Sequence, residues 1–189
     1  MGNNLVLIFG AVALFISSMV GLVYVPQILA DKELVTEQYV PSNIKKGHKI
    51  YVREGCVYCH TQQVRPKGFG ADFERGWGVA SLPEDYKGLT PHVLGTMRTG
   101  PDLANIGKRQ PSRDWHYTHL FAPESVSPGS IMPPFPWLFE VVDENRITNR
   151  KEVNLPGDFS IQGKKVIPTE EAEYLVDYLL SLNQVRTEE

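Results

Sequence analysis

From Leu5 to Val25 the chain carries no charged side chain. At 1.5 Å per residue such a run extends about 31 Å as a helix, close to the hydrocarbon thickness of a bilayer. One membrane crossing is expected. The competing reading is a cleaved secretory leader. No Lys or Arg precedes the run, the run is longer than a leader's apolar stretch, and Ile28-Leu29-Ala30 lacks the usual small residue three back from a cleavage site, all of which favour an uncleaved anchor. Only Lys32 flanks the run, so the charge rule for orientation is nearly silent.

Beyond residue 30 the pattern changes to mixed charge, read as a linker over 31–41, and then to helical spacing. Pro41-Ser42 marks a helix start with Ser42 as the expected cap. Ile44, Gly47 and Tyr51 fall on its inner face, and His48 is expected at the surface. The helix should end near Glu54, with Gly55 as the left-handed residue that stops it. Thr61 to Thr99 shows no sustained period of 2 or 3.6 and is expected to be a long, functional loop.

A second helix is expected from Ser112 or Arg113 to Phe121, ending before Pro123. Met132-Pro133-Pro134-Phe135-Pro136-Trp137 is too rich in proline for helix or central strand and reads as a stiff extended loop. Asp143 to Val166 reads as a hairpin-like excursion. The last helix has the strongest signals: Thr169 as cap, Glu170 and Glu171 in the first turn, then Ala172, Leu175, Val176, Leu179 and Leu182 on one face. It should pack across the first helix of the domain, where Gly47 would let Tyr174 or Tyr178 approach the backbone.

With 189 residues the chain has room for one anchor and one globular domain. These are placed at 1–30 and 42–189, in a mainly α fold with long loops. The net charge of −3, with no basic block, argues against nucleic acid as a partner. Both of the chain's two cysteines lie in Cys56-Val57-Tyr58-Cys59-His60, so neither a disulfide framework nor a four-ligand zinc module is supported.

In Cys-x-x-Cys-His the two thiols add to the vinyl groups of haem, and the adjacent histidine is delivered to the iron as an axial ligand. One covalently bound haem c on Cys56, Cys59 and His60 is therefore expected. Zinc is a poor rival, because Cys59 and His60 cannot readily turn onto one tetrahedral ion. A thioredoxin-like dithiol would need a βαβ setting that the sequence lacks. For the opposite face of the iron the candidates are Met97, Met132, His92, His116 and His119. Met132 is preferred because its neighbouring prolines would hold the thioether at low entropic cost. His116 and His119 stay open as alternatives. Trp115 and His119 share a helix face, for which packing is the first reading and a partner or proton role the second. Arg65 and Arg98 are candidates for binding a haem propionate, with a solvated surface charge as the equal alternative.

Residues 51–66 (Tyr-Val-Arg-Glu-Gly-Cys-Val-Tyr-Cys-His-Thr-Gln-Gln-Val-Arg-Pro) resemble the monohaem cytochrome c subunit II, the CcoO/FixO family, of cbb3-type cytochrome c oxidases. Three further blocks agree in order: Arg98 to Leu103, Trp115-His116 with His119-Leu120, and Met132-Pro133 with Pro136-Trp137-Leu138. Departures are Met97 where a lysine is expected, Leu94 where an aromatic is expected, and a weak match over 68–91.

The resemblance implies a class I cytochrome c-like domain behind a single transmembrane helix, with His60 and Met132 as axial ligands. It also implies that the Pro101 carbonyl accepts the hydrogen bond from the His60 ring. The implied role is an electron-transfer subunit with no catalytic centre of its own, passing electrons from a donor cytochrome to a haem-copper catalytic subunit, often alongside a further c-type cytochrome subunit. The haem domain is expected on the periplasmic or outer side of the cytoplasmic membrane, with the N-terminus in the cytoplasm. Alternatives are the cytochrome c subunit of a nitric oxide reductase, a free-standing anchored electron shuttle, and a haem-based gas sensor.

Overall fold

The computed structural model describes residues 2–34, 39–86 and 88–184. Residues 35–38 of the expected linker and 185–189 at the end of the expected domain lie outside them. The chain divides into two compact units, one drawn from residues 1–39 and 83–88, the other from 40–82 and 89–189. It is mainly helical, with a loop-rich second unit, as the pattern predicts.

In the first unit, α1 (Gly2–Met19) runs through a π-helical turn (Val20–Tyr24) into α2 (Val25–Leu34). Pro26 explains the turn. A proline has no N–H for the helical ladder and its ring crowds the carbonyl four residues back; widening the turn just before it relieves both. Val25 N accordingly donates to Val20 O, five residues back. Asn4–Leu29 is the one stretch among the described residues long and apolar enough to cross a membrane, with a mean hydropathy of 2.5. Its side chains are exposed almost throughout.

The second unit is built on two crossing helices, α3 (Ser42–Arg53) and α6 (Glu170–Ser181). Their backbones meet at Gly47, where an added Cβ would lie 2.0 Å from the Tyr174 carbonyl oxygen and 2.6 Å from Tyr178 Cβ. The predicted close approach is present, and both tyrosines take part. Arg53, in the last turn of α3, donates through both Nη atoms to Glu171 in the first turn of α6 at 2.7 Å each. Thr169 caps α6 by accepting from Ala172 N at 3.3 Å, and Ala172, Leu175, Val176 and Leu179 are buried.

Two expectations for α3 are corrected. Pro41, not Ser42, is the N-cap, and Ser42 is already helical. His48 is buried, not at the surface: 2 % of it is exposed, its Nε2 lies 3.0 Å from the Pro91 carbonyl, and its ring meets Tyr178 edge-on. The buried face is widened by residue 91, which helical periodicity within α3 cannot reveal.

Between these helices lie α4 (Ile106–Arg109) and α5 (Arg113–Phe121). The latter is capped by Ser112, whose Oγ accepts from Trp115 N at 3.2 Å. The proline-rich segment is extended up to Phe135 and then turns once as a 3-10 helix (Pro136–Leu138), which tolerates Pro136 at its first position, where no N–H is needed. The hairpin-like excursion is an antiparallel pair, β1 (Phe139–Asp143) with β2 (Lys164–Pro168), starting four residues earlier than the sequence suggests. Among its described residues, the 61–99 segment is irregular apart from a 3-10 turn at Pro83–Tyr86. Tyr51, Leu138, Leu175, Val176 and Tyr178 form the centre of the core.

Candidate haem site

α3 stops at Gly55, whose φ of +74° is the left-handed region that glycine tolerates and other residues avoid. The chain then makes one 3-10 turn, Cys56–Tyr58, closed by Cys59 N and His60 N both donating to Cys56 O at 3.2 and 3.0 Å. Side chains at i and i+3 eclipse in such a turn, so both thiols emerge on one side. Cys56 is half-buried and Cys59 exposed. Burial pushes the Cys56 thiol up to about 12, the reverse of the depressed value that a thiol–disulfide catalyst requires.

His60 follows directly. Its Nδ1 donates to the Pro101 carbonyl at 2.8 Å, which leaves Nε2 with the free lone pair. Burial holds the ring below its ordinary value, outweighing the opposite pull of the Pro101 carbonyl and of Asp102, so it is neutral at pH 7. The imidazole lies on Gly100: a Cβ there would stand 2.2 Å from His60 Cε1 and 2.8 Å from Nε2. Gly100 N in turn donates to Cys59 O at 2.9 Å.

Cys56, Cys59, His60, Pro101 and Met132 all line one cavity of about 610 Å³, within the range of cofactor pockets. Its walls are largely apolar, with Leu103, Ile106, Leu120, Phe135 and Leu179 among them. Met132 N donates to Ser130 Oγ at 3.2 Å, and Phe135 N pins the proline loop to α5 through the Leu120 carbonyl at 2.9 Å.

Of the other sixth-ligand candidates, His116 and His119 line the cavity, whereas Met97 and His92 do not. His116 Nε2 is engaged by the Gln110 carbonyl at 2.8 Å. His119 stacks on Trp115 at 4.5 Å between ring centroids and 14° between planes. Burial, then the neighbouring His116 and His60, bring its pKa down to about 4 against an opposing bond to the Pro123 carbonyl.

The expected arginines are not at the cavity. Arg65 is exposed, and Arg98 is turned away into ion pairs with Asp72 at 2.5 Å and Asp102 at 3.7 Å, with further bonds to Thr61 Oγ1 and the Gln63 carbonyl. The guanidinium at the cavity wall is Arg109, which donates to the Asp102 carbonyl and whose buried Nε has no partner. Arg109 closes the short helix α4, beyond the Arg98 to Leu103 block, where no motif marks it in the sequence. Its position one turn after Ile106, on a helix with a buried face, was the available signal.

The donor set suits a c-type haem. An apolar cleft carries an imidazole with a free lone pair, a thioether, two thiols on one turn, and a guanidinium with an unpartnered buried nitrogen. Gly100 leaves the face of the imidazole clear of any side chain of its own. No curated protein matches the chain. The family model described as cytochrome c oxidase, mono-heme subunit/FixO matches residues 2–174, from the apolar helix through Cys56, His60 and Met132 into α6. The chain belongs to the family of mono-heme cytochrome c oxidase subunits.

Proposed function

We propose that this chain is the membrane-anchored electron relay of a cbb3-type oxidase, taking electrons singly from a donor cytochrome and passing them to the oxygen-reducing catalytic subunit. Residues 1–30 serve as anchor, 31–41 as linker and 42–189 as the haem domain. The observation that carries this reading is the His60 imidazole, lone pair free, fixed by the Pro101 carbonyl beside Cys56 and Cys59 in the cavity that Met132 also lines.

Cys56 and Cys59 would hold one haem through thioether bonds, and His60 and Met132 would ligate its iron. When bound, the haem supplies a one-electron iron couple. Pro101 keeps the proton on Nδ1 and so presents Nε2 for ligation. Met132 is preferred over His116, whose ring is buried against Trp115 and held by the Gln110 carbonyl, and over His119, which is held flat against Trp115. Arg109 would bind a haem propionate, since a guanidinium at an apolar wall with a free nitrogen suits a carboxylate. The apolar walls exclude water. Haem c is attached outside the cytoplasm, so the domain faces the periplasmic or outer side and the N-terminus lies in the cytoplasm.

Tagged chain purified from its native membrane in mild detergent tests the assignment. Haem c accompanied by b-type haem and copper is expected. Haem c with b-type haem and non-haem iron but no copper would transfer the chain to nitric oxide reduction, and haem c alone would leave a free-standing shuttle.

A further inference from the structure

The loop that presents Pro101 to His60 is held by a buried charge that the haem site does not itself require. Asp102 is fully buried, and three donors converge on its carboxylate: Thr61 Oγ1 at 2.5 Å, Gln63 N at 2.8 Å and Ala104 N at 2.8 Å. Leu103 N adds a bond to the Thr61 carbonyl at 2.7 Å, so residues 59–63 and 100–104 are tied together on both sides of the imidazole. A carboxylate is acceptor-only, whereas an amide in its place must turn an NH₂ towards at least one of these donors. The site is therefore built for the charged form.

That charge has a specific counterpart. Arg98 Nε donates to Thr61 Oγ1 at 2.9 Å, its Nη2 lies 3.7 Å from Asp102, and its Nη1 reaches Asp72 at 2.5 Å. Burial tends to raise the Asp72 carboxyl, but Arg98 and the Arg65 amide outweigh it and hold it below its ordinary value. Two carboxylates thus share the Arg98 guanidinium, and Arg109 donates to the Asp102 backbone carbonyl. Breaking a buried pair leaves a charge uncompensated, so this triad is costly to disturb.

We infer that Asp102, with Thr61 and the Asp72–Arg98 pair, is a positioning residue for His60: it fixes the Pro101 carbonyl that accepts the imidazole Nδ1–H bond, and its charge favours the oxidised iron. This rests on His60 being an axial ligand. Asp102→Asn removes the charge and turns a donor against donors. Less negative charge and a weaker pull on the Nδ1 proton both favour the ferrous state, so the potential rises. Arg98→Lys keeps the positive charge and moves the potential far less.

The test is a redox titration of the full chain carrying its haem, with the axial-histidine ring-proton shifts read by NMR. D102N should raise the ferrous-to-ferric ratio at least tenfold at fixed ambient potential, about 59 mV for a one-electron couple; R98K should change it less than about threefold, or 28 mV by the same conversion. A D102N protein that melts earlier but keeps the wild-type potential and ring shifts overturns the inference and leaves Asp102 purely structural. Should D102N fail to assemble, Thr61→Val, which removes one donor and keeps the charge, decides the matter: shifted ring protons support the inference and unchanged ones end it. A wild-type chain without a His60-ligated haem would sink the functional reading, a result distinct from either.

Discussion

The imidazole of His60 lies flat against Gly100, so close that a Cβ on the glycine would stand 2.2 Å from His60 Cε1. Gly100 is not needed here for an unusual backbone angle, since its φ is not in the left-handed region. What it supplies is absence of volume. Gly100→Ala should therefore displace the ring sterically, at about 1–3 kcal/mol for overpacking, and lower the yield of low-spin haem c. Absorption spectra of the membrane fraction check this, and a normal spectrum with full haem content would mean the ring has room to move.

Met132→Ala should leave haem attached through Cys56 and Cys59 while changing its ligation. The potential should fall by more than about 59 mV, a tenfold change in the ferrous-to-ferric ratio, because a methionine ligand favours the reduced iron. His119→Ala should leave spectrum and potential near wild type. The reverse pattern would make His119 the ligand.

Gly47→Ala tests the helix crossing. Alanine is the better helix former by about 1 kcal/mol, yet its Cβ would meet the Tyr174 carbonyl at 2.0 Å, a backbone atom that cannot swing aside. A net loss of about 1–3 kcal/mol is expected, seen as a lower thermal midpoint of the haem domain. Equal or higher stability would show that α3 and α6 separate freely.

Acid should destabilise the domain through its buried histidines. His48, His116 and His119 are all held below their ordinary value of 6.5, burial being the first cause in each case. The unfolded chain thus takes up protons before the folded one does. Stability is full above about pH 6.5, falls as pH drops below it, and for His119 goes on falling to about 4. Thermal melts from pH 8 to 5 should show the midpoint decreasing, with a shallower slope in His48→Gln. A flat profile would mean that these rings protonate without leaving their buried positions.

Much of this was legible in the chain alone, wherever the physical cause is local. An uncharged run of membrane length is exposed as one helix, a cap followed by acids and a 3.6 period gives α6, and Gly55 ends α3 because only the adjacent turn constrains it. Two thiols and a histidine at fixed spacing share one turn and one cavity for the same reason. The extent of the β1–β2 pair was less clear, since strand partners lie some twenty-five residues apart and register depends on both.

What only the tertiary structure decided is which polar groups are paired and which are left for the site. Arg98 and Arg109 are equal in sequence, but Asp72, twenty-six residues before Arg98, draws the first guanidinium away and leaves the second at the cavity. His48 is buried because Pro91 supplies an acceptor, and Asp102 can stay charged inside because Thr61, Gln63 and Ala104 converge on it. A residue's own type sets what it can bond to, whereas burial and partner come from distant segments brought together by the fold. That Cys56, Cys59, His60 and Met132 belong together was therefore readable in the sequence, and the partners that fix His48, Arg98 and Asp102 were not.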